Sequence, residues 1–261
     1  MSSRRTTQRV NKNDLPTTRR RFKIERNTAV TATTGMAEPT PATSPSRTSS
    51  ASPLPWYLIP EITPKDFLKC VTPIYKVIEE VHKSKTTEDP FIKAVLMGNT
   101  AMTEETWKKA EKSRLSQKAL EMKMGDFHEE LMGKFPGYKT LPNGHETECD
   151  VSSEDGNILM EVKNKHNTIK GSDGKHIAAM LKAHVDKGRR AILVEVNCPG
   201  GKVNRFGADP SVKVWNGQQA YEFLSGRASF FEDLEKTVKH VFANFKTYAQ
   251  VSAALETPSP A

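Results

Sequence analysis

The sequence predicts an α/β domain, a mixed sheet flanked by helices, with a helical part ahead of it and a disordered leader ahead of that. Three observations carry this expectation. Hydrophobic residues recur at helical spacing from Pro64 onward, give way to strand-like runs near residue 146, and then alternate between helix and strand to about residue 250. Residues 1–53 hold almost no aliphatic side chains and are dominated by Thr, Ser, Arg and Pro, a composition that cannot bury enough apolar surface to offset chain entropy. Residues 251–261 read as a second disordered tail. The folded part is then 54–250, helical over 60–135 and α/β over 136–250.

Taken in order, Phe67, Leu68, Val71, Ile74, Tyr75, Ile78 and Val81 recur at spacings of one, three and four, which predicts a helix from Pro64 to about Lys85. DPFIKAVLMGN opens on an acid and a proline and closes on Gly98-Asn99, the start and stop signals of a short second helix. Thr103, Glu105 and Thr106 begin a long polar helix. Its apolar positions are sparse until Phe127, Leu131 and Met132, so its first half is exposed or lies against a partner. ETECDVS and NILMEVK read as strands about a turn, Ser172 to Lys187 as a helix, RAILVEVN as a nearly continuous apolar strand, and SVKVW as another. GQQAYEFLSG is a short helix. SFFEDLEKTVKHVFANFKTYAQVSAAL is one long amphipathic helix whose core face carries Phe230, Phe231, Leu234, Val238, Val241, Phe242 and Phe245.

The formal charge of +8 is unevenly spread. Residues 1–53 contain ten Arg or Lys against three Asp or Glu, so the leader carries +7 and the other 208 residues +1. A basic average is therefore weak evidence that the folded part binds nucleic acid, although Arg19 to Arg21 with Phe22 and Lys23 can attract phosphates. Met36 opens a second polar start, and the leader lacks the amphipathic period of an organellar targeting segment. No run approaches the length that spans a bilayer. Cys70, Cys149 and Cys198 have no CxxC spacing, so a reducing cytoplasmic compartment fits, with the thiols as small core residues.

The centre of the chain holds the chemistry. Asp155-Gly156 signals a two-residue type I′ hairpin loop. Pairing Glu154 with Asn157 then sets Val151 opposite Met160, Asp150 opposite Glu161 and Glu148 opposite Lys163. Opposed side chains stand about 5 Å apart, and like charges there destabilise the sheet. A divalent cation would reverse that penalty, because hard cations such as Mg²⁺ take oxygen ligands and often only one or two carboxylates. Glu161 and Lys163 share a face of the strand, so an ammonium stands beside both acids, an arrangement suited to metal-assisted phosphodiester hydrolysis. A charged solvated edge is the plain alternative, and an ExK triplet also occurs at Glu121-Met122-Lys123, where the pattern is helical.

EVKNKHNT after an acidic strand, with EKSRLSQKALEMKMGDFHEELMG upstream and NGQQAYEFLSGRASFFEDL downstream, resembles the type II restriction endonucleases that cut GGWCC- and GGNCC-like sites, members of the PD-(D/E)xK superfamily. The resemblance spans about residues 60–245. It implies a restriction-endonuclease-like fold, Asp150 and Glu161 as catalytic acids and metal ligands, Lys163 as the catalytic lysine, and a Mg²⁺-dependent double-strand break leaving 5′-phosphate and 3′-hydroxyl ends. It also implies double-stranded DNA as substrate, a homodimer, and a cognate DNA methyltransferase as functional partner, with no membrane association. Cys149 stands where the superfamily pattern has proline, and the Thr, Ser and Pro-rich leader is foreign to a compact restriction enzyme.

Lys165, His166, Asn167 and Thr168 follow the catalytic strand, where they could contact phosphates or base edges, or form a plain polar loop. Glu129 and Glu130 on the preceding helix are either a further metal ligand or ordinary exposed glutamates. Arg189 and Arg190 read as edge charges. His128, His145, His176 and His184 have no zinc spacing with the cysteines. Two other functions stay open: a repair or structure-specific nuclease of the same superfamily, and a non-catalytic DNA-binding protein working through its basic leader. An inert edge gives no reason to set two acids face to face, which weighs against the last.

Overall fold

The computed structural model describes residues 54–80, 88–165, 171–198 and 211–256. The leader expected over 1–53, the end of the first helix expected near Lys85, and the residues after 256 lie outside them. Helix α1 (Pro64–Glu80) starts where Thr63 Oγ1 accepts from Asp66 N–H at 3.1 Å, and it buries Phe67, Leu68, Cys70, Val71, Ile74 and Tyr75. Helix α2 (Pro90–Thr100) has Pro90 in its first turn and is capped by Asp89, which accepts from the Phe91 and Ile92 amides. The 29-residue α3 (Glu104–Met132) is capped by Thr103, as its sequence signals.

The sheet has five strands in chain order: β1 (Tyr138–Thr140), β2 (Val151–Ser153), β3 (Ile158–Lys165), β4 (Arg190–Asn197) and β5 (Lys213–Asn216). β1, β2 and β3 pair antiparallel, whereas β3, β4 and β5 pair parallel, with α4 (Gly171–Asp186) as the crossover between β3 and β4. The mixed sheet expected from the sequence is therefore present, with β1 added; three residues are too few to show a period.

Two expectations at the hairpin change. The loop is not type I′, which needs positive φ at both central residues; of Asp155 and Gly156 only Gly156 has it, at +72°. Gly156 N–H instead bonds Ser153 O at 3.0 Å, while Ser153 Oγ accepts from Ile158 N–H at 2.9 Å. The longer loop has the same centre, so the register survives: Val151 opposes Met160 and Ser152 opposes Leu159. ETECDVS, however, is mostly turn. Thr147 N–H donates to His145 Nδ1 and Cys149 N–H to Thr147 Oγ1, while His145 N–H bonds Pro142 O, and Glu148 sits at φ 55°. It meets His176 at 2.7 Å rather than Lys163.

Alternation along β3 and β4 divides the core. Met160, Val162, Ile192, Val194 and Val196 face a large cluster with α1, α3, α5 (Gly217–Ser225) and α6 (Phe230–Asn244). Leu159, Ala191 and Leu193 face Ile177 and Leu181 of α4. The long C-terminal helix expected from the sequence is two helices. Thr247 and Gln250 form a reciprocal cap that starts α7 (Tyr248–Glu256). Residues 251–255, claimed both by that helix and by the tail expected from 251, are helical, and Val251 is buried. Arg227 ties α6 to the segment before α1, bonding Glu61 at 2.6 Å, Leu58 O at 2.9 Å, and Asp233.

His128 of α3 is buried and shares a 2.8 Å hydrogen bond with the Tyr221 hydroxyl of α5. Burial pushes its pKa down to about 4. An unfolded histidine takes its proton near pH 6.5, so stability falls as the pH drops from about 6.5 to about 4, by about 3 kcal/mol. Denaturant titrations between these pH values check this: His128→Gln should flatten the profile relative to the parent, and an unchanged slope would remove His128 as its source.

Candidate active site

Three of the residues singled out in the sequence converge at the point where β2 and β3 part. Lys163 Nζ lies 2.6 Å from Glu161 Oε1 and 3.7 Å from Asp150 Oδ2. Asp150 is not a member of the ladder. Its N–H turns to Met160 O at 3.0 Å, its carbonyl accepts from Leu141 N–H, and its Oδ2 accepts from Val162 N–H at 2.7 Å. The expected juxtaposition with Glu161 is thus achieved by a carboxylate that caps a β3 amide just past the end of the β2 pairing, not by a cross-strand pair. That cap removes freedom from the Asp150 side chain and aims it at the β3 backbone between the other two residues.

Glu161 is 7% exposed. Burial, reinforced by the negative charge of Asp150, pushes its pKa well up. For Lys163 burial works against the ammonium, but the charges of Glu161 and Asp150 outweigh it and hold its pKa above the ordinary lysine value. One cation thus stands against two carboxylates in a poorly solvated site. Their repulsion is only partly relieved, and a divalent ion between them would relieve the rest. Among the described residues no group of three or more His, Cys, Asp or Glu side chains is placed to hold a metal ion. Two carboxylates with open positions suit Mg²⁺, which keeps waters and binds substrate phosphate.

The other residues separate. Lys165 ion-pairs with Glu121 of α3 at 2.5 Å, so the acid of the helical ExK triplet tethers the end of β3. His166, Asn167 and Thr168 lie outside the described residues. Glu130 is exposed and pairs with Lys134, whereas Glu129 is half-buried, its pKa pushed up to about 7 by burial and then by Asp150. Arg190 is not a plain edge charge: its guanidinium lies over Trp215 and Phe223, 4.9 and 4.8 Å from their ring centres.

Reading RAILVEVN as apolar missed Glu195, which is buried in β4 in register with Lys163. The available signal was a single acid inside a continuous apolar strand.

A family model described as Eco47II restriction endonuclease matches residues 59–245, close to the span of the resemblance. The chain belongs to the Eco47II restriction endonuclease family. Its relatives include the type II restriction enzyme Sau96I of Staphylococcus aureus, 28% identical over 199 residues, which cover 66% of this chain and 75% of that enzyme. The type II restriction enzyme Eco47II of Escherichia coli is 23% identical over 155 residues, covering 52% of this chain and just under two thirds, 64%, of that enzyme. Within the Eco47II-family span fall α1 to α6 and all five strands. No helix among the described residues is long and apolar enough to cross a membrane.

Proposed function

We propose that this Eco47II-family member is a type II restriction enzyme that cuts both strands of duplex DNA at a short specific site, with Mg²⁺ held by Asp150 and Glu161. The observation that supports it most is the convergence of Asp150, Glu161 and Lys163 on the stretch of β3 that β2 leaves unpaired. Mg²⁺ bound there would polarise the scissile phosphate and acidify an attacking water. Lys163 stays an ammonium beside that point and donates to the phosphoryl oxygens as negative charge develops on them. Water adds to phosphorus, the bond to the 3′ oxygen breaks, and 5′-phosphate and 3′-hydroxyl ends result. A palindromic site calls for a homodimer, since protein symmetry mirrors site symmetry, and a cognate DNA methyltransferase protects the host sequence.

The reading is tested on unmethylated phage DNA with Mg²⁺, followed by sequencing of the ends. Discrete fragments sharing one palindrome are expected, and EDTA should abolish them. Smears or junction-dependent cuts would make the chain a repair-type nuclease instead. Cleavage indifferent to EDTA would remove the metal from the mechanism.

A further inference from the structure

None of the eleven residues of α2 is buried, although its sequence PFIKAVLMGNT is largely apolar. Phe91 is 81% exposed, Val95 66%, Ile92 51% and Leu96 39%. Helical geometry puts Phe91, Val95 and Gly98 on one line, at i, i+4 and i+7, with Ile92 beside them. A Cβ on Gly98 would meet nothing within 4 Å, so the backbone there is bare. Lys93 is the helix's single charge, and it points away from this face, pinned by Glu104 at 2.5 Å and Glu88 at 3.3 Å. The chief neighbour of α2 is α3.

We infer that this face of α2 is the contact with a second copy of the chain, packed across a twofold axis. The inference rests on the homodimeric reading above and names its surface. Charge selects the occupant. A face without cations has no means of holding DNA, whose binding depends on Lys and Arg, and the polar, basic leader offers almost no aliphatic side chains to cover it. A neutral apolar stripe is complementary to itself, as an isologous contact requires. The four side chains expose roughly 400 Å² per copy, about half of what each partner contributes to a standard interface. Gly98 lets the two helix backbones approach closely.

The test measures mass in solution without DNA, by light scattering, and cleavage separately. The parent protein should be a dimer, and Phe91→Glu with Val95→Glu should be a monomer that melts at the parent temperature. The monomer should lose at least tenfold in double-strand cutting at dilute enzyme. Val95→Cys in a Cys198→Ser background should form an oxidised dimer with the fold intact, which guards against a misfolded double variant. A monomeric parent, a double variant that stays dimeric, or no Val95→Cys cross-link each overturns the assignment. A dimer that behaves as expected but cuts no DNA would instead sink the endonuclease reading and leave the contact standing.

Discussion

Lys163→Ala is expected to lower double-strand cleavage on the order of 10³-fold while leaving DNA binding and the fold in place, because removing one preorganised charge from a transition state typically costs that much. Geometry carries the argument. The ammonium stands 2.6 Å from Glu161 and 3.7 Å from Asp150, so its loss removes the charge proposed to meet the phosphate and leaves two carboxylates without a cation between them. Single-turnover cleavage with Mg²⁺, beside binding measured with Ca²⁺ in its place, separates chemistry from affinity. A rate within tenfold of the parent would take Lys163 out of the machinery. Lys123→Ala, in the helical ExK triplet, serves as the control and should cut at nearly the parent rate.

The second large effect lies at Gly133, the residue that ends α3. A Cβ there would overlap Thr140 Oγ1 and Thr140 N and stand 3.0 Å from Lys139 C. Two of those atoms belong to the backbone of β1, which cannot step aside as a flexible side chain would. Gly133→Ala is therefore expected to destabilise the protein by about 3 kcal/mol, at the upper end for overpacking. The displacement also reaches the site, since Thr140 pairs with Val151, next to Asp150. Gly125, in the same helix, makes the contrast: its Cβ would meet only Asn164 Cβ at 3.9 Å. Gly125→Ala should stabilise by up to about 1 kcal/mol through helix propensity. Urea unfolding of both variants decides, and equal effects would discard the packing account.

Much of the site is legible in the chain itself. Asp-Gly centres the hairpin and the alternation of NILMEVK sets its faces, so Val151 and Met160 oppose as expected. Glu161 and Lys163 come together because period-two geometry is local. Asp150 reaches its place by a route other than the ladder. Thr147 and His145 compete for the backbone ahead of it, so the chain turns there instead of extending. The split between α6 and α7 is written in Thr247-Tyr-Ala-Gln250, a capping signature hidden inside a continuous amphipathic pattern. Glu195 escapes notice because the average hydropathy of its strand conceals a single acid.

By itself the sequence determined the fold class, most of the elements and the register of the hairpin, and it singled out Asp150, Glu161 and Lys163. These follow from short-range periodicity, turn chemistry and motif spacing, all of which act within a few residues. Only the tertiary structure decided that Asp150 caps the strand rather than opposing Glu161, that Lys165 is tied to α3, that Glu195 adjoins Lys163, and that α2 leaves its apolar face uncovered. Each of these depends on which distant element packs against which. Such contacts have no period in the chain.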